Sequence, residues 1–592
     1  MIKVLANLQA PSKVNLVWQT KYRKEHFVIQ DIVKRFIGAY KKDRTWRVNI
    51  DDLQVLIERL KNIEGQTVHI DVKIYKTMYS YFDKKDEILE LRNKLDGIDS
   101  GIEFVGNFAP LPFQHVGIEF AYQVKNCIIA DKVGLGKTIQ GFSAAYKMFL
   151  ERDADKCIII LPSSLIVKWG RDIEKFLGVK TFRLEGTPKQ RKENFRKWMN
   201  RYGKNDFFCT VSYDTIKRDY KKYLCDYTDK KFIILMDEIQ KIKNITTKRS
   251  QCCKYIGNMD LCIARIGLSA TYIETGLQDL FGVMFVIDEN VFGNNIMNFQ
   301  VNFLVLDYMG KIVDYKNLDV ATNYMEYKAV RRNKEMVKDQ LKAHLPKVND
   351  NTLWFEMDKK QKQVNVDILN KVVKDMGDME RQEKINMSGA MTEIGYLRQA
   401  AISAELIDGT FQNSAKIDAL LEILPEIIED HKVMIFCFYT KFIDIMEREL
   451  QNIGIKTIAM HGKREEGHSK NRQSWVDKFE KSDVPVLLTS DILAEGVDLP
   501  FATYVINVDI LWNPAKMTQR CGRIDRLNQT ADNIYVLNLW CKDSIEEQMY
   551  EVLYKRQQVA DQVIDGGNIE KRFKKLSFND IKKMLRNLGG KI

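Results

Sequence analysis

Short apolar runs, each closed by a turn, recur in two regions of the chain. In the first region they are Asn126–Ala130, Cys157–Leu161, Phe207–Val211, Phe232–Met236 and Ile266–Leu268. In the second they are Val433–Phe438, Thr457–Met460, Val486–Leu488, Tyr504–Val508 and Ile534–Leu537. Amphipathic helical stretches separate them. A strand covered on both faces reads as a continuous apolar run, and its alternation with helices implies parallel pairing. The pattern predicts an α/β protein with two parallel-sheet lobes. Residues 316–430, between them, read as mostly helical, charged and nearly free of strands. The first hundred residues read as a separate unit, with an amphipathic helix near Asp51–Ile63. The predicted layout is an accessory domain over 1–105, a first lobe with a helical protrusion over 106–345 and a helical insertion over 346–405. A second lobe over 406–565 and a tail over 566–592 complete it.

Composition narrows the class. The 592 residues are 45% hydrophobic and 29% charged, as in globular proteins rather than disordered or membrane chains. The longest apolar stretch, Cys157–Val167, is broken by Pro162, Ser163 and Ser164 and falls short of the ~20 residues a spanning helix needs. The N-terminus lacks signal-peptide grammar, so a cytoplasmic location is expected. Ten cysteines without a CxxC pair and seven scattered histidines predict reduced thiols and no structural zinc. Net charge is +12, from 92 basic and 80 acidic residues, and the excess collects in residues 1–50 and after Gly567. Solvated charge accounts for either end alone; both together favour a polyanionic partner.

The chemistry begins at Asp131-Lys132-Val133-Gly134-Leu135-Gly136-Lys137-Thr138, which follows a predicted strand and opens a helix. Gly134 and Gly136 let backbone N–H groups approach phosphate oxygens at a helix N-terminus. Lys137 would reach the outer phosphates, and Thr138 would hold Mg²⁺ through its hydroxyl. Asp131 stands where the simplest phosphate-loop pattern has glycine. One hundred residues after Lys137, the apolar run Phe232–Met236 ends in Asp237-Glu238. Asp237 at a strand tip would serve Mg²⁺, and Glu238 would orient and deprotonate the attacking water. Farther on, Arg523 and Arg526 stand three apart, predicted on one helix face, as cations for the charge of a phosphoryl-transfer transition state.

In this order the motifs resemble helicase superfamily two, and within it the Swi/Snf group, from about Leu111 to Val563. Pro112-Phe113-Gln114 with Gly117 resembles the adenine-reading Q motif, and Ile129–Gln140 resembles motif I, including its aspartate. Leu161–Leu165 with Lys168-Trp169 resembles motif Ia, Thr210–Asp214 motif Ib, Asp237–Asn244 motif II, and Leu268–Thr271 motif III. The series Leu277–Leu280, Val330–Lys334 and Leu345-Pro346-Lys347 resembles markers that the group carries in a long insertion. Ile435–Tyr439 resembles motif IV, Asp509 with Trp512-Asn513-Pro514 the group's DxxWNP, and Ser544–Asp561 its brace helix. Motif V (Ser490–Leu499) departs from the group toward the general superfamily-two form, and motif VI (Gln519–Gln529) departs from chromatin remodellers; together with Val133–Thr138 it leans toward the RapA or HepA branch. Gln240 replaces the usual motif II histidine.

The resemblance implies two RecA-like lobes, ATP and Mg²⁺ as cofactors, and closure of the lobes on ATP. Gln114, Gly496 and Asp498 join the phosphate loop in holding nucleotide; Gln240, Ser269, Thr271 and Gln519 couple hydrolysis to nucleic acid. Lys168, Ser212, Lys463, Thr489 and Trp512 are implied to contact nucleic acid, although Trp169 and Trp512 read more readily as core residues. The expected activity is ATP-driven movement along duplex or branched DNA by a bacterial or phage-type monomer. RNA polymerase or replication and recombination proteins are candidate partners. A strand-separating DNA or RNA helicase would use the same catalytic residues, and a motor fold lacking hydrolysis would have lost some of them.

Overall fold

The computed structural model describes residues 72–552 apart from 107, 228, 275, 309, 311, 342–345, 382–386, 410–413, 462–471, 494–498 and 527–528. It also describes short strands within 2–70 and residues 584, 587 and 588. The expected helix at 51–63 and the basic tail lie outside the described residues. The segment before residue 71 holds β1 (Ile2–Ala6), β2 (Lys13–Trp18), β3 (Tyr40–Lys42), β4 (Thr45–Asn49) and β5 (Val68–Ile70). They form one sheet in the order β3-β4-β2-β1-β5, antiparallel except for the β1–β5 pair.

Chain contacts divide the molecule into two compact units, the first mainly up to Gln340 and the second mainly from Leu341. In the first, β6 (Asn126–Ile129), β7 (Lys156–Leu161), β8 (Thr181–Arg183), β9 (Phe208–Ser212), β10 (Phe232–Asp237) and β11 (Cys262–Leu268) share a sheet. A short β14 (Ala329–Val330) joins it, after the two-stranded ribbon of β12 (Leu304–Leu306) and β13 (Ile312–Tyr315). The order is β14-β6-β11-β10-β7-β9-β8, parallel throughout. All six residues of β7 are buried, as the continuous apolar run requires. Each fully buried isoleucine there contributes about 1.5–3 kcal/mol.

The second unit's sheet runs β15-β20-β19-β16-β18-β17, again parallel. Its strands are β15 (Lys347–Phe355), β16 (Val433–Phe436), β17 (Thr457–Met460), β18 (Val486–Thr489), β19 (Tyr504–Asn507) and β20 (Asn533–Cys541). β15 corrects the reading of 316–430 as nearly strand-free. It pairs with β20 over nine positions, yet none of its residues is buried. An edge strand with one open side needs no apolar run, so Lys347-Val348-Asn349-Asp350-Asn351 gave no signal. Helices Lys359–Arg381, Met387–Ile402 and Ala415–Ile427 fill most of the remainder of that segment.

Both sheets share one fastening. The buried Lys156, at the start of β7, donates to Trp198 O, Arg201 O and Asp206 O, each at 2.8 Å, just before β9. Lys432, directly before β16, donates to Phe479 O, Glu480 O and Ser482 O at 2.6, 3.0 and 2.8 Å, just before β18. In each case the ammonium satisfies carbonyls left open where a helix or turn ends. No membrane-length apolar helix and no metal-ligating cluster of His, Cys, Asp or Glu occurs among the described residues.

Candidate nucleotide site and its neighbours

β6 leads into the glycine loop, and helix Lys137–Leu150 starts immediately after it. Gly134 and Gly136 take φ of 89° and 75°, the left-handed region where a side chain is strained. A Cβ on Gly136 would lie 2.4 Å from Gln114 Nε2. The expected adenine-reading glutamine is thus packed on the phosphate loop, its Oε1 accepting from Leu111 N at 2.9 Å. Lys137 Nζ donates to Asp131 O at 2.8 Å, at the mouth of the loop, and Thr138 is half-buried on the first helical turn.

Asp131 is an anchor. Its carboxylate has no exposure and accepts from Arg332 N and Nε at 2.9 Å, Arg332 Nη2 at 2.7 Å and Gln140 Nε2 at 2.9 Å. Arg332 also donates to Phe113 O and stacks over the Phe113 ring at 5.1 Å. A Cβ on Gly117 would lie 1.9 Å from Gln140 Oε1, so glycine is required there for this cluster to close. One buried guanidinium therefore ties the loop's first residue to the segments bearing Gln114 and Gln140. In the sequence Arg332 stands only within the Val330–Lys334 marker, and its partner is 201 residues away.

At the tip of β10, Asp237 Oδ1 accepts from Glu238 N at 3.0 Å and Oδ2 from Trp169 Nε1 at 2.9 Å. Tyr213 OH donates to the Asp237 carbonyl at 2.9 Å. Burial and the Glu238 charge push the Asp237 carboxyl up to about 7, against the Trp169 and Glu238 N–H donors and the Lys137 ammonium, which pull it down. Glu238 has φ of 51°, a left-handed backbone on a non-glycine residue, of the kind that clusters at functional sites. Gln240 Nε2 donates to Glu238 Oε2, so the residue in the usual histidine's place restrains the expected base. Ser269 is buried, its hydroxyl accepting from Thr271 N at 3.0 Å. Lys243, also in motif II, pairs with Glu274 at 2.6 Å and Asp279 at 3.3 Å.

An acid that can carry charge beside a hydroxyl, a lysine and a cradle of glycine backbone suits Mg²⁺-nucleotide. Mg²⁺ keeps several waters and phosphate oxygens and needs no all-protein cage.

In the second unit, helix Pro514–Cys521 stops before Arg523. Arg523 N bonds Arg520 O at 3.2 Å and Ile524 N bonds Cys521 O at 3.3 Å, a tightened turn following Gly522. Arg523 and Arg526 therefore stand on a turn past the helix end, not on a helix face as expected. Arg523 Nε donates to the Gln519 carbonyl at 3.0 Å. Arg520, between them, is fully buried, bonding Asp491 Oδ1 at 2.8 Å and Asp509 Oδ1 at 3.1 Å. Asp509 also accepts from Arg398 at 3.2 Å and Phe438 N at 3.1 Å, which accounts for the aspartate of the DxxWNP series.

The nucleic-acid contacts expected from sequence fare unevenly. Lys168 is half-buried near the start of helix Ile166–Leu177. Ser212 is buried and its hydroxyl caps the helix Tyr213–Tyr227 by accepting from Thr215 N at 3.1 Å. Thr489 has no exposed surface and donates to Ser490 O at 3.0 Å, so its side chain does not present itself to a phosphate. Trp512 is half-buried against the cluster of Leu369, Val372, Ile394, Leu397 and Trp540. A core role fits it, as the sequence favoured, and the same holds for Trp169, which is 1% exposed. Lys463, Gly496 and Asp498 lie outside the described residues, as does the brace helix beyond residue 552.

Residues 22–406 match the SNF2-related domain family, and residues 415–528 match the helicase conserved C-terminal domain. The chain belongs to the SNF2 family. As a SNF2-type member of helicase superfamily two, it is a nucleic-acid-stimulated ATPase. It is 23% identical over 519 residues to the uncharacterized ATP-dependent helicase YqhH of Bacillus subtilis, covering 82% of this chain and 84% of that protein. It is 25% identical over 529 residues to the ATP-dependent helicase FUN30 of Saccharomyces cerevisiae, covering 74% and 45%. The chain thus spans most of YqhH and less than half of FUN30. A similar solved structure is the Sulfolobus solfataricus SWI2/SNF2 ATPase core in complex with dsDNA, at 18% identity, 84% and 98% coverage and a TM-score of 0.35.

Proposed function

We propose that this SNF2-family ATPase uses ATP with Mg²⁺ to move along duplex or branched DNA as a monomer. Such movement serves fork remodelling, recombination or the displacement of bound protein, RNA polymerase included. The observation that carries the hydrolytic half is the arrangement at β6 and β10. Lys137 closes the glycine loop on Asp131 O, while Asp237 and Glu238 stand at a strand tip with donors fixing the first and Gln240 restraining the second. Lys137 would bind the outer phosphates, Thr138 and Asp237 would hold the cation, and Glu238 would take the proton of the attacking water. Arg523 and Arg526 would supply positive charge to the transition state.

Duplex rather than single strand as the track rests on the insertion between motifs III and IV and on the Val330–Lys334 and Asp509–Pro514 series. The leaning toward the RapA type rests on the wording of motif VI together with that of Val133–Thr138 in motif I.

The test is ATP hydrolysis without nucleic acid and with duplex DNA, single-stranded DNA or RNA, at two salt concentrations. Backbone contacts by cations release counterions, so stimulation by duplex DNA should fade with salt. Stimulation by RNA or single strands alone would replace this reading with that of a strand-separating helicase.

A further inference from the structure

We infer that Trp169 and Tyr213 are positioning residues that transmit occupancy of the nucleic-acid track to Asp237; the inference rests on the translocase reading above. Both are almost wholly buried, at 1% and 2% exposure, and both end on the same residue. The Trp169 indole holds carboxylate oxygen Oδ2, and the Tyr213 hydroxyl holds the carbonyl of the same residue, each at 2.9 Å. The side chain that would hold the cation is thus gripped at its head and at its root.

The two donors come from different elements. Trp169 lies on helix Ile166–Leu177, which follows β7, and Tyr213 opens helix Tyr213–Tyr227, which follows β9. β10, β7 and β9 are consecutive neighbours in the sheet, so both helices begin at the strand edge where Asp237 stands. Trp169 directly follows Lys168, a half-buried residue of the expected track face, and Tyr213 follows Ser212, expected there too but buried, its hydroxyl capping the helix that Tyr213 opens. Successive helix residues point about 100° apart, which lets Lys168 face outward while Trp169 faces in. The indole has no slack: its ring packs edge-on against Phe142 at 6.3 Å. A close-packed interior passes on a small displacement of either helix rather than absorbing it. Glu238 follows Asp237 and donates its N–H to Oδ1, so a shift of Asp237 also moves the expected base.

The test uses the full chain with Trp169→Phe and Tyr213→Phe, which keep an aromatic ring and remove one donor each. ATP turnover is measured against duplex DNA concentration and against ATP concentration, with thermal unfolding as control. The expected result is a fall of about tenfold in DNA-saturated kcat. The DNA concentration for half-stimulation and the KM for ATP should stay within about twofold, and the melting temperature should fall by only the few degrees that the loss of one buried hydrogen bond entails, leaving the protein folded at the assay temperature. Lys168→Ala should show the opposite split, with a higher half-stimulating DNA concentration and kcat kept at saturation. DNA-saturated kcat retained in both phenylalanine variants overturns the inference, as does a loss that tracks ATP KM or melting. A wild-type rate that no nucleic acid raises overturns the translocase reading itself. Normal wild-type stimulation together with unimpaired variants overturns the coupling role alone.

Discussion

Asp131 and Arg332 form a two-pronged ion pair, with Nη2 to Oδ2 at 2.7 Å and Nε to Oδ1 at 2.9 Å, in a site where their side chains are 0% and 1% exposed. Breaking a buried pair by removing one partner typically costs about 3–5 kcal/mol, because the other charge is left unpaired. Asp131→Gly restores the glycine of the simplest phosphate-loop pattern, yet it should destabilise the protein by that order. Thermal unfolding checks it. Asp131→Gly combined with Arg332→Met should recover part of the loss.

The raised Asp237 carboxyl sets an acid limb. Its folded value of about 7 means that below neutrality the residue carries a proton and loses the charge that would hold a cation. Hydrolysis should therefore fall as pH drops through about 7 at low Mg²⁺. Because proton and metal compete for one carboxylate, a tenfold rise in Mg²⁺ should move the limb down by up to about one pH unit. A limb that ignores Mg²⁺ would remove Asp237 from cation binding.

Three substitutions address the proposed hydrolytic roles. Lys137→Ala, Glu238→Gln and Arg526→Ala should each lower DNA-stimulated hydrolysis by roughly 10³-fold or more, the scale at which transition-state cations and positioning groups act in phosphoryl transfer. Glu238→Gln should still bind ATP, which a fluorescent nucleotide analogue reads. Near-normal turnover in any one variant removes that residue from the mechanism.

Lys156 gives a stability prediction with a definite sign. Burial lowers its ammonium to about 8, against an unfolded value of about 10.4. Between those values the unfolded chain binds more protons, so this group's contribution to stability rises with pH across that window. Compared with Lys156→Met, the wild type should gain on the order of 1–2 kcal/mol between pH 7.5 and 9.5. Urea midpoints of both proteins at the two pH values would measure it.

What the sequence revealed follows burial. The central strands β6, β7, β10, β16, β18 and β19 are covered on both faces, so their apolar runs stood out within a residue or two of their ends. β8 and β15 escaped because they lie at sheet edges and keep polar or half-buried residues. The phosphate loop and Asp237-Glu238 were legible because their chemistry is local in sequence. Trp169 was not legible as a partner of Asp237: 68 residues separate them, and only the fold brings the indole to the carboxylate. Thr489 misled for a related reason, since a motif letter does not say which way a side chain points.

The lysine fastenings give the two sheets a common division of labour. Lys156 and Lys432 gather their carbonyls where β7 and β16 begin, whereas the glycine loop and Asp237 stand where β6 and β10 end. The lysine clasps thus sit on the rim opposite the glycine loop and Asp237. The same three-carbonyl clasp in both halves is a repeat written in wiring, which a comparison of letters does not find.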